Sequence, residues 1–250
     1  MAKETKFISF FNQKGGVGKT TLEILVASYC HSVLDLKVGI MDADFPQHSV
    51  QKLREDEISL VRTQASYQNA FKAQGKKVYP IIPSNPGDAL TDLKQFEDTE
   101  EPFDIVFVDL PGTVNTKGVL STISKLDHIF IPLIADQLVV KSSLEFGMLV
   151  NQNFIGKPDI NLKSLHFLWN NVVKSEKSNL YTATEKVVTK AGMHILKTQL
   201  YQSVKFRKPE FRSTIFPMEA HLLKDTNMVP LIEEILTVIG VSVAPVTLTV

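Results

Sequence analysis

The chain has 250 residues, 44% of them hydrophobic, enough for one large α/β domain with a sizeable core. Its 27 basic and 27 acidic side chains cancel, so it is no polycation, and any nucleic-acid contact has to come from a local patch. A single cysteine, Cys30, excludes a disulfide framework and a Cys-X-X-Cys metal or iron–sulfur site.

Short apolar runs alternate with helical ones from the first residues onward, the pattern of a mostly parallel, twisted sheet with helices on both faces. The opening residues pass straight into the first run and leave no room for a signal peptide, so a cytoplasmic protein is expected. Strands are expected at 6–12, 38–42, 78–83, 103–109, 128–132, 164–170 and 195–200, each rich in Val, Ile or Phe as central parallel strands are. Helices are expected at 19–33, 116–125, 138–154, 180–191 and 230–239. The last carries apolar residues at 231, 232, 235, 236 and 239, one face of a helix. The acidic stretch 97–101 reads as a solvated loop. The run from Ile129 to Val140 is broken by Pro132 and Asp136, so no membrane span is expected. Nothing marks a repeat or a linker, and a single domain over 1–250 is the economical reading.

Three motifs carry chemistry. The first, Asn12-Gln-Lys-Gly-Gly-Val-Gly-Lys-Thr-Thr21, joins an apolar strand to a helix through a glycine-rich loop. Gly15, Gly16 and Gly18 let successive N–H groups curl around phosphate oxygens, and the helix N-terminus adds unpaired donors and partial positive charge. Lys19 would reach the β- and γ-phosphates and the Thr20 hydroxyl a Mg²⁺ ion. Gln13 stands where the strict P-loop pattern wants its first glycine. The second motif, Asp42-Ala-Asp44-Phe-Pro-Gln47, sets two carboxylates at a strand's carboxyl end, where ligands bind in this fold class. A helix cap ahead of Pro46 is the plainer role for an Asp here. The third runs four apolar residues into Asp109-Leu-Pro-Gly112, a strand whose terminal carboxylate can hold a Mg²⁺ water shell.

Together these motifs resemble the ParA/MinD family of deviant-Walker-A P-loop ATPases over most of the chain. The resemblance implies an ATP- and Mg²⁺-dependent ATPase, weakly active until a partner stimulates it. The loop residues Lys14, Gly15, Gly16, Val17, Gly18, Lys19, Thr20 and Thr21 would hold the nucleotide. It also implies a homodimer formed on binding ATP, in which Lys14 reaches the partner's phosphates. Asp44 would orient the attacking water, Asp42 and Asp109 would support the metal with Thr20, and Gly112 would offer its N–H to the γ-phosphate. Asn170, ending the strand before Asn171, is similar to the family's adenine-reading residue, although paired asparagines also form turns.

The output of such an engine has to be argued separately. Iron–sulfur ATPases need paired cysteines, and tyrosine kinases on this fold carry a C-terminal tyrosine cluster; both patterns are missing from the sequence. A MinD-like membrane foot needs a basic amphipathic helix, whereas 241–250 is uncharged and holds Pro245, which suits an edge strand or packing segment better. The remaining class is ParA-like partition of plasmid, chromosomal or mobile-element DNA with a ParB-like activator. For it the chain offers Lys205, Arg207, Lys208 and Arg212, with Lys197, interleaved with Tyr201, Phe206 and Phe211. An ordinary solvated face is the competing reading of those residues. Action on a protein or membrane partner without DNA stays open as the alternative.

Overall fold

In a computed structural model, residues 4–175, 179–209, 211–216 and 223–243 are described. Seven strands form one sheet: β1 (Lys6–Phe10), β2 (Val38–Asp42), β3 (Ile81–Pro83), β4 (Ile105–Asp109), β5 (His128–Leu133), β6 (Ser164–Trp169) and β7 (His194–Ile195). Their order is β3-β2-β4-β1-β5-β6-β7, and every pairing is parallel. The helices are α1 (Lys19–Ser32), α2 (Ser49–Thr63), α3 (Ala65–Gln74), α4 (Ala89–Glu97), α5 (Val119–Ile123), α6 (Gln137–Asn153), α7 (Asn179–Lys190) and α8 (Met228–Ile239). A 3₁₀ turn spans Val204–Arg207. Among the described residues no helix is long and apolar enough to cross a membrane.

Alternation along the strands builds two cores. Ile8, Phe10, Ile40, Phe107 and Phe130 face α1 and α8, with α2 at the margin. Phe7, Met41, Val106, Val108, Ile129 and Ile131 face α4, α5, α6 and α7. Because each central strand is covered on both faces, β2, β4 and β5 are buried at every position. Helix α1 is itself enclosed: Leu22 to Cys30 are all buried, including Glu23 and Ser28.

The expected fold is there, with corrections at its margins. Helices α2, α3 and α4 were not anticipated, and the start of the acidic stretch, Glu97, closes α4. Helix α3 buries no residue and α2 is mostly polar, so their periodicity carries little apolar signal. The expected helix at 116–125 shrinks to α5. The expected strand at 195–200 is cut to β7, because the Glu234 carboxylate on α8 accepts the N–H groups of Lys197 (2.7 Å) and Thr198 (2.8 Å). Of the tail, Val241 and Val243 pack against the α1–α8 core, and residues 244–250 lie outside the described residues.

The connection after β1 runs through α1 to β2, and the one after its neighbour β4 runs through α5 to β5, so the chain leaves these adjacent strands in opposite directions. In open parallel sheets the crevice at such a switch point, beyond the carboxyl ends, is where ligands bind. The glycine-rich loop opens there.

Candidate nucleotide site

The loop from 11 to 18 leaves β1 and turns directly into α1. Gly16 (φ +77°) and Gly18 (φ +92°, the N-cap) need the left-handed region that glycine enters without penalty. A methyl built on Gly15 or Gly16 meets nothing within 4 Å, which leaves open space over the loop beside the N-terminus of α1. The residues present therefore fit a polyphosphate.

Side chains from three other elements fix the cradle. Buried Asn12 donates to Pro132 O and Ser143 Oγ, both at 2.8 Å, while its Oδ1 accepts the Lys14 N–H (2.9 Å). Asn170, beyond β6, donates through Nδ2 to Val17 O at 2.8 Å, and its own N–H reaches Leu133 O. A Cβ on Gly18 would sit 2.5 Å from that Nδ2, so Asn170 lies tight against the loop. Asn12 was missed as a site residue. The only signal was a polar residue closing an apolar strand before the glycines.

Lys19 lies inward. Its Nζ points toward Lys14 O (3.5 Å), and a Cβ on Gly112 would come within 3.2 Å of it. The loop after β4 and Lys19 are thus neighbours. Burial lowers the Lys19 pKa, opposed by the nearby Asp109 and Asp44 carboxylates. Lys14 differs: it is exposed, and among the described residues only its backbone atoms are engaged. Thr21, on the first turn of α1, is half-buried.

The carboxylates divide into roles. Asp109 accepts the Thr20 hydroxyl at 2.8 Å through Oδ2, while its buried Oδ1 has no partner among the described residues. Burial pushes its pKa up to about 7, with Asp42 and Asp44 also raising it and the Thr20 hydrogen bond opposing. A hydroxyl beside an under-satisfied carboxylate is a donor set that suits Mg²⁺ and its waters. Asp42 caps α2 from a distance: Oδ2 accepts the N–H groups of Val50 and Gln51, both at 2.9 Å. The cap role is therefore the one its geometry displays. His48, unforeseen, adds Nδ1 contacts to Asp42 O at 3.1 Å and Oδ1 at 3.7 Å. Asp44 is half-buried, its pKa raised by desolvation against the pull of Lys19. Its carbonyl closes the following turn by accepting from Gln47 and His48.

Glu23 was also missed. It is fully buried one turn below Thr20, with both carboxyl oxygens unpartnered among the described residues. Burial holds it well above the ordinary carboxylate range, and Asp109 and Asp42 push the same way.

The basic patch borders two different recesses. Lys205, with Lys174 and Lys224, lines a recess of about 330 Å³ beyond β6. Lys208 and Arg212 line a different groove of about 850 Å³ against Leu53, Leu60 and Tyr67 of α2 and α3. Lys205 lies in the 3₁₀ turn itself, its carbonyl accepting the Lys208 N–H at 3.0 Å, and Arg207 at the end of that turn is exposed.

Comparison with known proteins agrees with this geometry. A family profile described as "AAA domain" matches residues 5–151. No curated protein sequence matches the chain. Among solved structures, a plasmid partition protein of Borrelia burgdorferi B31 bound to AMPPNP is 17% identical, with TM-score 0.60 over 94% of this chain and 99% of that one. MinD in the MinC:MinD complex of Aquifex aeolicus is 16% identical, with TM-score 0.64 over 97% and 98%. Apo McdA of Cyanthece is 17% identical, with TM-score 0.64 over 93% and 100%. The chain belongs to the AAA domain family, and its fold is that of the ParA/MinD P-loop ATPases.

Proposed function

We propose that the chain, acting as one domain over 1–250, binds Mg-ATP in the 14–21 cradle, dimerises on doing so, and uses the ATP-bound dimer to hold DNA without sequence preference until hydrolysis releases it. The observation that carries the reading is the contrast between the two loop lysines. Lys19 is turned inward among the site's carboxylates, while the Lys14 side chain stands exposed at the mouth with no use in its own site. A second phosphate-directed cation facing outward is suited to a partner's nucleotide, as a trans-acting arginine finger is.

Within one subunit, Gly15 to Thr21 would cradle the phosphates, with Lys19 countering their charge and Gly112 bordering that lysine. Thr20 and Asp109, backed by Asp42, would hold the metal, which when bound neutralises phosphate charge. Asp44, a half-buried carboxylate without a capping duty whose charge acts on Lys19, would orient the attacking water. Asn170, already latched to the loop, would meet the base from the β6 side.

The DNA arm rests on Lys205, Arg207, Lys208 and Arg212, and on the partition role of the Borrelia neighbour. Phosphate contacts from exposed Arg207 and Lys208 would add affinity uniformly across sequences. Retention of the protein on random-sequence DNA at moderate salt, with and without ATP, tests it. ATP-dependent retention that Arg207→Glu with Lys208→Glu abolishes supports DNA binding. Absence of retention favours action on a protein cargo or membrane partner, as the splitting of the patch and the MinC-bound MinD neighbour would suit.

A further inference from the structure

Among the described residues, three large apolar side chains are more than half exposed: Phe45 (58%), Leu138 (73%) and Val204 (72%). All lie past the carboxyl ends of strands. Phe45 follows the end of β2 by three residues, Leu138 follows β5 by five, and Val204 follows by three Tyr201, which bridges to Val172 beyond β6. Isolated exposed leucines need no explanation, but the most exposed ones all at the nucleotide end of one sheet are a pattern.

Position in the sheet sharpens it. Strands β4 and β1 separate β2 from β5, so at about 4.8 Å per strand the carboxyl ends of β2 and β5, which lead to Phe45 and Leu138, lie about 14 Å apart with the phosphate loop leaving β1 between them. Exposed Lys14 stands on the loop between them. Two apolar side chains with a cation between them make a face that a second copy of itself complements. Under a two-fold, apolar contacts meet apolar contacts, and each lysine is carried toward the other copy's phosphates. The chain's zero net charge opposes no such approach.

We infer that Phe45 and Leu138 are apolar anchors through which two nucleotide-loaded copies of this chain meet, one on each side of the phosphate loop. The inference rests on the dimer reading above and names the side chains that would make it stable. It also ties the contact to the chemistry. Phe45 follows Asp44 directly and packs edge-on against His48 (centroids 5.7 Å apart), which bonds the Asp42 carbonyl. A partner pressing on Phe45 immobilises the loop that carries Asp44, so dimer formation itself would order the hydrolytic carboxylate.

Sedimentation velocity over a concentration series with Mg-AMPPNP tests this on the wild-type chain and on Phe45→Ser, Leu138→Ser and Leu149→Ser. Leu149, on α6, is 44% exposed and serves as the control for losing a surface leucine. Melting temperature and ADP affinity report that each variant is folded. Anchors of this kind should weaken dimerisation about tenfold or more when truncated, while Leu149→Ser dimerises like wild type. If wild type stays monomeric with AMPPNP, the dimer reading itself fails. If wild type dimerises and either Phe45→Ser or Leu138→Ser does so with unchanged affinity, that side chain is no anchor and the inference is overturned.

Discussion

Substituting Gly18 by alanine puts two separable strains on the phosphate loop. Gly18 has φ +92°, and a non-glycine residue held in the left-handed region loses about 1–2 kcal/mol. The added Cβ would also lie 2.5 Å from Asn170 Nδ2, closer than real contacts permit. The amide must rotate, which breaks its 2.8 Å bond to Val17 O, a loss of about 0.5–1.5 kcal/mol. The sum is about 1.5–3.5 kcal/mol, or a melting temperature lower by roughly 3–14 °C for a chain of this size. In an Asn170→Ala background the clash has no object and only the backbone strain remains. A double-mutant cycle by urea denaturation should therefore show a coupling of about 1 kcal/mol, above the few tenths expected of independent sites. An equal cost of Gly18→Ala in both backgrounds would refute the claim that Asn170 holds the loop.

Gly15 gives the complementary case, since a methyl there meets nothing within 4 Å. Gly15→Ala should leave the apo melting temperature nearly unchanged but weaken binding of a fluorescent ATP analogue; unchanged affinity would mean the phosphates lie elsewhere. Glu23→Leu removes a fully buried carboxyl with no hydrogen-bond partner, so it should stabilise the apo protein by about 1–3 kcal/mol; a drop in the urea midpoint would show a partner the apo structure does not contain. On the sheet, His128 and His166 share Ser164 Oγ at 2.8 and 2.9 Å. Burial holds both near pKa 4: Asp127 opposes it at His128 with Lys163 and Lys6 reinforcing, and at His166 His194 and His128 reinforce while Glu234 opposes. Their folded pKa values lie below the ordinary 6.5, so the unfolded chain takes up protons first. The stability they contribute is whole above about pH 6.5 and declines as pH falls toward 4. Urea midpoints should fall over that window less steeply in His128→Gln/His166→Gln than in wild type, and identical slopes would sink the assignment.

Much of this was legible in residues 6–21, 38–47 and 103–112, where covalent pattern and chemistry coincide: buried strands read as apolar runs, and a phosphate loop has to be glycine-rich. Elements whose form depends on distant partners were not legible. The strand expected to 200 stops at Ile195 because Glu234, on a helix more than 30 residues later, takes its backbone donors. Glu23 resembles a surface residue four places after Lys19, and only the enclosure of α1 on all sides shows that it is buried. Asp42 is contiguous with the catalytic-looking motif, yet its carboxylate is directed to Val50 and Gln51, whose N–H groups become accessible only when α2 folds back. The basic patch is continuous in sequence, yet Lys205 lines one recess and Lys208 and Arg212 another.

The central claim is that one copy's Lys14 serves the site holding the other copy's Asp44. Lys14→Ala and Asp44→Ala should each fail to hydrolyse ATP, and each should retain nucleotide binding through Lys19 and the glycine loop. On mixing, half of the sites in a mixed dimer combine an intact Asp44, from the Lys14 variant, with an intact Lys14, from the Asp44 variant. A steady-state phosphate-release assay on the mixture should therefore recover activity that neither variant has alone, rising with total concentration as mixed dimers form. Wild-type turnover by the Lys14 variant on its own, or no recovery in a mixture shown to contain mixed dimers, would contradict a shared site.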